Sequence, residues 1–275
     1  MDRLQTYNDG DPFLNIRLQL GKRAFQKNSK AKIVFVGVGS IGSNLAVALA
    51  GTGFKNFILV DGDTVGRRNI PLCAPFKKTD VGRHKVQVLA EFLKSKFEDM
   101  KIDLYPQYTD KIDQSLLSEP DFLILGVDDG WTRFAVTNQR VMVGKPYINL
   151  GFYGWEASYL LVKPKETACW ACLWRPKDSG IVEKLKREGR CPQPEPNVPG
   201  AVIPATVQHL IGFAAGEVMK YFTGLGRLVQ YYRFNVMTGE SDIRFVDSPN
   251  FLKPDPECPV CMESEQVDIS ELSRE

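Results

Sequence analysis

The chain has 275 residues, of which 43% are hydrophobic, and this is enough to bury one large core or a core with a small appendage. Its formal net charge is +2 and its pI is near 8.1, so overall charge gives no indication of binding to nucleic acid or to an acidic membrane. The first residues lack the apolar stretch of a secretion signal, and polar residues interrupt the most apolar helical segment, 201–222. We therefore expect a soluble cytoplasmic protein.

A leading helix is predicted within an N-terminal helical segment, residues 1–31. Asp11 followed by Pro12 is typical of an N-cap and a first helical turn. The apolar residues that can share the buried face of this helix are Phe13, Ile16, Leu20 and Phe25. The polar run over 26–32 indicates where the helix ends.

Residues 33–61 predict one parallel βαβ unit. An apolar run at 33–36 precedes a glycine-rich turn, a helix through 45–49 and a second apolar run at 57–60. The later elements expected are helices over 82–97 and 131–143 and strands over 102–105, 122–127 and 147–150. Continuous apolar strands that alternate with helices indicate an α/β fold with a Rossmann-like, doubly wound and mostly parallel sheet.

The pattern changes after Gly151. The longer, partly alternating strands expected here cover 153–162, 228–236 and 242–246. They indicate a mixed or antiparallel C-terminal extension of the sheet. Charged and proline-rich residues at 173–200 predict a surface crossover loop with one short helix. The main domain is therefore expected over 32–261, followed by an acidic, disordered tail over 262–275.

A glycine-rich turn follows the first predicted strand and opens the next helix. It contains Gly37, Gly39 and Gly42. Backbone N–H groups and the helix dipole at such a turn can face phosphate. Asp61 lies 19 residues after Gly42 at the end of the second strand, where a carboxylate can accept hydrogen bonds from a ribose. These residues together indicate a nucleotide site but do not distinguish NAD from ATP, and a glycine turn without a ligand is the alternative.

Four of the six cysteines form two C-x-x-C pairs, Cys169 with Cys172 and Cys258 with Cys261. The two pairs together can supply the four sulfur ligands of a tetrahedral Zn²⁺. Such a closed site has no open coordination position, so we expect the zinc to be structural and to join the end of the chain to the segment after Val162. Redox pairs or incidental cysteines are the alternative.

The motifs GVGSIGS, DGDTVGRRN, GRHK and GVDDGWTR, followed by the two C-x-x-C pairs, resemble the ThiF/MoeB/ubiquitin-activating-enzyme superfamily of adenylating enzymes. The resemblance extends over residues 13–261. The second half, in ETACWAC, EKLKREGRC and EVMKYFTG, is most similar to ubiquitin-fold-modifier-activating enzymes. The resemblance implies a homodimer that uses ATP and Mg²⁺ to adenylate the C-terminal carboxylate of a small ubiquitin-like or sulfur-carrier-like protein.

The resemblance also implies roles for individual polar residues. Asp61 matches the ribose-binding aspartate, Asn69 and Lys85 match residues that hold the triphosphate, and Asp128 matches the magnesium ligand. Attack of a carboxylate on the α-phosphate concentrates negative charge, which a lysine and a bound magnesium can stabilise. The alternatives are that Lys85 is a solvated charge at a helix start and that Asp128 is only a helix N-cap, with Asp129 as the magnesium ligand.

The sequence departs from the family at one cationic position. The family has an arginine three residues after Asn69, whereas this chain has Leu72. Arg67 or Arg68, just upstream, can bring a guanidinium to the same space. Arg17 on the leading helix resembles the arginine that family members insert into the active site of the partner subunit, although an ordinary surface arginine is the alternative.

Cys191 matches the thioester-forming cysteine of the family in the segment KREGRC. Its basic neighbours favour a thiolate, which can accept the activated acyl group before transfer to a conjugating-enzyme-like protein. The sequence after Cys191 differs from the family, and a loop cysteine without a role is the alternative. Cys73 is interpreted as a core or loop cysteine, and His84 and His209 as structural residues.

Three other functions compete with this hypothesis. An adenylate-only enzyme acting on a sulfur carrier or a peptide would not need Cys191. A non-catalytic binding subunit would be consistent with the loss of the arginine at Leu72. A nicotinamide dehydrogenase would use the glycine turn but lacks a recognisable catalytic pair here, and the four cysteines argue against it.

Overall fold

The computed structural model describes residues 11–173, 202–258 and 260–261. Over these residues the chain forms one eight-stranded sheet covered by helices. The strands are β1 Lys32–Val36, β2 Asn56–Val60, β3 Lys101–Tyr105, β4 Phe122–Leu125, β5 Tyr147–Tyr153, β6 Glu156–Val162, β7 Val229–Asn235 and β8 Ser241–Phe245. The helices are α1 Leu14–Leu20, α2 Lys22–Lys30, α3 Ser40–Gly51, α4 Lys85–Lys96, α5 Ser115–Ser118, α6 Gly130–Met142, α7 Trp170–Leu173 and α8 Pro204–Thr223.

The strand order is β3-β2-β1-β4-β5-β6-β7-β8. Strands β1 to β5 are parallel, and β6, β7 and β8 are antiparallel to their neighbours. This order confirms the predicted doubly wound sheet with an antiparallel C-terminal extension. From β1 the chain forms β2 and β3 on one side and then crosses from β3 to β4 on the other side of β1. The crevice between the ends of β1 and β4 is therefore the topological switch point, where ligands bind in sheets of this type.

Successive residues of β1 pack on opposite faces of the sheet. Ile33 and Phe35 face the layer that contains α3, α4 and α8, whereas Val34 and Val36 face the layer that contains α6 and α7. Residues 33–36 are almost completely buried, and burying a side chain of this kind contributes about 1.5–3 kcal/mol. Burial on both faces explains why β1 is a continuous apolar run rather than an alternating one.

The predicted leading helix is two helices. Gly21 separates α1 from α2 and has a φ of 82°, a left-handed conformation that glycine adopts most readily. Helix α2 ends at Lys30, within the polar run 26–32 where the helix is predicted to end, and it buries Asn28, whose Nδ2 donates to the carbonyl of Thr52 at 3.0 Å. Phe25 is buried, while Ile16 is only partly buried.

Helix α8 begins with Pro204 in its first turn and ends before Gly224, which has a left-handed φ of 74°. Its buried Glu217 accepts a hydrogen bond from the N–H of Val229 at 2.9 Å, which ties the helix to the start of β7. None of the helices in the described part of the chain is both long enough and apolar enough to span a membrane.

Candidate functional site

Three parts of the predicted nucleotide site lie at the carboxyl ends of β1, β2 and β4. The glycine turn follows β1, Asp61 follows β2 and Asp128 lies beyond β4. The turn after β1 contacts the segment after β4, because a Cβ added to Gly37 would lie 2.9 Å from Cγ1 of Val127. This packing brings Asp128 next to the turn at the switch point of the sheet.

Two glycines of the turn are required by the fold and one leaves space above it. Gly37 has a φ of 85°, and a Cβ added to Gly42 would lie 2.0 Å from the carbonyl oxygen of Gly37. A Cβ added to Gly39 would meet no atom within 4 Å. Gly39 precedes the first residue of α3, so the open space faces a helix N-terminus, where backbone N–H groups can bind an anion.

Two backbone N–H groups hold the Asp61 carboxylate, one in the glycine turn and one just after β2. Its Oδ2 accepts a hydrogen bond from the N–H of Val38, and its Oδ1 accepts one from the N–H of Asp63, both at 2.8 Å. Burial raises the pKa of Asp61, and the positive charge of Lys85 opposes that rise. A carboxylate has about four lone-pair positions, so the fixed Asp61 can still accept hydrogen bonds from a ribose.

Lys85 is the first residue of α4 and is 8% exposed. Its Nζ lies 2.7 Å from Oδ2 of Asp63 and 3.9 Å from Oδ2 of Asp61. Oδ1 of Asp63 accepts a hydrogen bond from the Tyr108 hydroxyl at 2.9 Å. Burial acts to raise the pKa of Asp63, but the hydrogen bonds from Lys85 and Tyr108 and the charges of Lys85 and Arg68 lower it overall. The ammonium therefore lies among carboxylates instead of at a solvated helix end. We call the space bordered by the glycine turn, Asp61 and Lys85 the cleft.

Asp63 and Tyr108 were not identified from the sequence. Asp63 is the second aspartate of the DGDTV motif, and this repeated aspartate was the available signal. Tyr108 follows β3 by three residues and carries no motif. Its ring packs on Gly62, where an added Cβ would lie 2.9 Å from the ring carbons.

The segment around Asn69 is ordered by its own hydrogen bonds. The side-chain oxygen of Asn69 accepts from the N–H of Gly66 at 2.8 Å, which fixes the amide group. Its NH₂ group is the donor from which a phosphate can accept. Leu72 is partly buried against the core, and its carbonyl accepts from Nδ2 of Asn44 at 2.7 Å. Arg67 and Arg68 are exposed, and the charge of Arg68 acts on the cleft.

The two adjacent aspartates before α6 differ in their surroundings. Oδ1 of Asp129 accepts from the N–H of Thr132 at 3.0 Å, which is an N-cap interaction. The N-cap role considered for Asp128 thus belongs to Asp129. The Asp128 side chain is exposed beside the glycine turn, which fits an oxygen ligand for Mg²⁺ that keeps several waters.

A buried arginine behind Asp128 fixes this part of the site. Arg133 donates to the carbonyl of Val127, to Oδ1 of Asn149 and, at 2.9 Å, to the carbonyl of Leu150. The guanidinium therefore joins the segment after β4 to β5. The position of Asp128 follows from this connection.

Of the other two predicted catalytic residues, Arg17 and Cys191, the structure describes only Arg17, which it does not bring to this cleft. Arg17 on α1 forms an ion pair with Asp11, and its guanidinium lies 5.5 Å from the ring centroid of Phe25, so these contacts are within the N-terminal segment. Cys191 lies outside the described residues, as do positions 174–200 of the crossover loop and the tail 262–275.

The four C-x-x-C cysteines form one cluster. The Sγ–Sγ distances are 3.7 Å from Cys169 to both Cys172 and Cys258 and 3.6 Å from Cys172 to Cys261. Tetrahedral zinc with Zn–S bonds of about 2.3 Å has sulfurs about 3.8 Å apart, so the cluster fits a zinc site. The N–H of Asp255 donates to Sγ of Cys172 at 3.4 Å, as a backbone donor to a thiolate would.

Cys73, His84 and His209, the remaining cysteine and histidines among the described residues, are interpreted from the sequence as structural. Cys73 is 1% exposed, and burial raises the pKa of its thiol to about 11. His209 packs against the ring of Phe234 at a centroid distance of 3.9 Å. His84 immediately precedes α4.

Comparison with known proteins assigns the family. The ThiF family model matches residues 14–260. The chain belongs to the ThiF family. Ubiquitin-like modifier-activating enzyme 5 of Branchiostoma floridae is a relative with 30% identity over 245 residues, which cover 82% of this chain and 56% of that protein. The chain therefore spans little more than half the length of this relative.

Two further similarities bear on the ThiF assignment. Sulfur carrier protein adenylyltransferase of Thermus thermophilus is 24% identical over 88% of this chain and 86% of its own length. Among solved structures, E. coli MccB with AMPCPP and MccA superposes with a TM-score of 0.71 at 20% identity, over 94% of this chain and 76% of that one. The structural similarity supports the fold.

Proposed function

We propose that the chain uses ATP to adenylate the C-terminal carboxylate of a small ubiquitin-like or sulfur-carrier-like protein. The observation that carries the proposal is the buried Lys85 near Asp61 after β2 and the exposed Asp128 after β4, since the glycine turn follows β1, the strand between these two. Nucleotide binding alone needs the turn and Asp61. A reaction at the phosphate additionally needs a lysine and a carboxylate that binds magnesium, because both stabilise the negative charge of the transition state.

In the proposed complex the phosphates lie above Gly39 and receive hydrogen bonds from the N-terminus of α3. Asp61 accepts hydrogen bonds from the ribose hydroxyls, and Lys85 donates to the phosphates. The NH₂ group of Asn69 is a further donor. Magnesium held by Asp128 would supply positive charge to the phosphate oxygens.

The first step is attack of a carboxylate oxygen of the partner protein on the α-phosphorus of ATP. A new C(=O)–O–P bond forms, the bond from the α-phosphorus to the bridging oxygen breaks, and pyrophosphate leaves. Negative charge accumulates on the phosphate oxygens in the transition state. The Lys85 ammonium is already desolvated in the cleft, so it can stabilise this charge without first losing water.

The second step would transfer the acyl group to Cys191. Its thiolate attacks the carbonyl carbon of the acyl-adenylate, the acyl–oxygen bond breaks and AMP leaves, which forms a thioester. A conjugating-enzyme-like protein would then accept the acyl group. The basic residues that precede Cys191 in the sequence favour the thiolate.

The proposed assembly is a homodimer with structural zinc. Arg17 would reach the cleft of the partner subunit, for which it must leave its ion pair with Asp11. The Arg17 side chain is 42% exposed and that of Asp11 19%, so breaking this partly buried ion pair costs at least about 1 kcal/mol, the upper value for exposed pairs. Zinc at the four-cysteine cluster would join residues 89 positions apart and stabilise the fold.

An adenylate-only enzyme is the second candidate. It is favoured by the Thermus thermophilus adenylyltransferase, because the match extends over 86% of that relative, whereas the longer modifier-activating relative is only 56% covered. In this candidate the first step is unchanged and Cys191 has no catalytic role. A binding subunit without catalysis is the remaining alternative, since Leu72 replaces a cation.

ATP–pyrophosphate exchange tests the proposed function. Each candidate partner is incubated with the protein, ATP, magnesium and labelled pyrophosphate. Lys85→Ala and Asp128→Ala should each reduce exchange by about 10²- to 10³-fold, because each removes charge stabilisation at the reacting phosphate. Lys94→Ala, an exposed lysine on the same helix, is the matched control and should exchange normally. Near-normal exchange in both cleft variants would contradict the assignment of this cleft.

A further inference from the structure

Asp63 holds Lys85 through both its main chain and its side chain. The carbonyl of Asp63 accepts a hydrogen bond from the N–H of Lys85 at 3.1 Å, and Oδ2 of Asp63 lies 2.7 Å from Nζ. A β-bridge between Thr64 and His84 adds to this connection. Asp63 and Lys85 are 22 residues apart in sequence, so the tertiary fold brings the carboxylate to the lysine.

Asp63 rather than Asp61 is the close partner of this ammonium. Both oxygens of Asp61 already accept backbone hydrogen bonds, and its nearer oxygen is 3.9 Å from Nζ. The Asp63 side chain is half exposed, and the Tyr108 hydroxyl donates to its other oxygen. The Asp63 carboxylate therefore contacts both the Lys85 ammonium and the solvent.

We propose that Asp63 is the resting partner of Lys85 and that a nucleotide phosphate displaces it. A buried ammonium needs an anionic partner, and Asp63 supplies one when no phosphate is present. A phosphate and the Asp63 carboxylate cannot both approach Nζ closely without mutual repulsion. Asp63 thus lowers the affinity of the site for phosphate ligands, and most for the ligand that brings most negative charge to Nζ. The inference rests on the proposed role of Lys85 in nucleotide binding.

The Tyr108 hydroxyl affects how strongly Asp63 is held by Lys85. Its hydroxyl donates to Asp63 at 2.9 Å and so shares the negative charge that Lys85 would otherwise neutralise alone. When Asp63 leaves Lys85, the Tyr108 hydrogen bond remains to stabilise the displaced carboxylate. Loss of the hydroxyl should therefore strengthen the hold of Asp63 on Lys85 and oppose phosphate entry.

Calorimetric titration of the full chain with Mg–ATP, ADP and AMP tests the proposal. Asp63→Asn should bind ATP about three- to tenfold more tightly, the size expected for removing one half-exposed opposing charge. The gain should decrease from ATP to AMP. Tyr108→Phe keeps the ring on Gly62 but removes the donor, and it should bind ATP more weakly than wild type. The opposite signs of the two changes distinguish charge competition from general loosening.

Two controls separate the outcomes. Thermal melting establishes that each variant is folded, and the Asp63→Asn gain should shrink in a Lys85→Ala background, because the ion pair is then already lost. Folded Asp63→Asn protein with unchanged or weaker ATP binding would overturn the proposal while leaving the nucleotide site intact. Wild-type protein that binds no ATP would overturn the proposed function itself, and this inference with it.

Discussion

Replacing Gly42 by alanine should damage the glycine turn in a way that the structure makes calculable. The added Cβ would lie 2.0 Å from the Gly37 oxygen and 3.0 Å from its carbonyl carbon. Non-bonded heavy atoms approach to about 3.5–4.0 Å, so the turn and α3 must separate by more than about 1 Å. Both clashing atoms belong to the backbone, which cannot rotate away.

Overpacking of this kind costs about 1–3 kcal/mol, which lowers the Tm of a chain of this size by about 2–10 °C. Opening the turn also moves Val38, whose N–H holds Asp61 at 2.8 Å, so ATP binding should be lost as well. Gly39→Ala is the matched control. Gly39 has a negative φ of −71°, and the added Cβ meets no atom within 4 Å.

The assay combines thermal melting with ATP titration of both variants. Gly42→Ala should lose stability and nucleotide binding together, whereas Gly39→Ala should melt like wild type and bind ATP more weakly, because its methyl group enters the proposed phosphate space. Equal melting temperatures for Gly42→Ala and wild type, or a greater loss of stability in Gly39→Ala, would refute this account of the turn.

The remaining predictions concern the cysteines. Cys258→Ser should lose bound zinc, measured by mass spectrometry of the metal, and should be destabilised by about 2–5 kcal/mol because a link between positions 89 residues apart is broken; a zinc-free variant with normal melting would contradict a structural role. Cys191→Ala should retain pyrophosphate exchange but form no thiol-sensitive adduct with a verified partner on a non-reducing gel. An adduct that persists without Cys191 but disappears in Cys73→Ala would move the nucleophile.

Several features of the fold were accessible from sequence because they depend on local pattern. The apolar runs at 33–36 and 57–60 are buried on both faces, so their composition alone predicts central strands. The C-x-x-C spacing similarly brings two thiols of each pair together in one turn, and four thiolates need one metal. The helix break at Gly21 was missed, although glycine is the residue that a φ of 82° favours.

Other features of the site depend on contacts that no local pattern records. The Asp63–Lys85 ion pair follows from the pairing of two segments across the cleft, and the choice between Asp128 and Asp129 as N-cap follows from where α6 begins. Arg140 is completely buried, and the carbonyls of Leu117 and Pro146 accept hydrogen bonds from its guanidinium. These hydrogen bonds offset the cost of burying the charge. Arginine ordinarily lies at the surface, so composition gives no signal for this position.

The identity of the nucleotide products tests the central claim most directly. Purified protein is incubated with ATP, magnesium and a verified carboxyl-terminal partner, and the nucleotides are separated by anion-exchange chromatography. Attack at the α-phosphorus predicts pyrophosphate together with AMP bound to the partner as the acyl-adenylate, which becomes free AMP when a thiol or water takes the acyl group. Both products should form only when the partner is present and should be lost in Lys85→Ala. Formation of ADP and inorganic phosphate, or partner-independent turnover that survives the loss of Lys85, would contradict adenylation at this site.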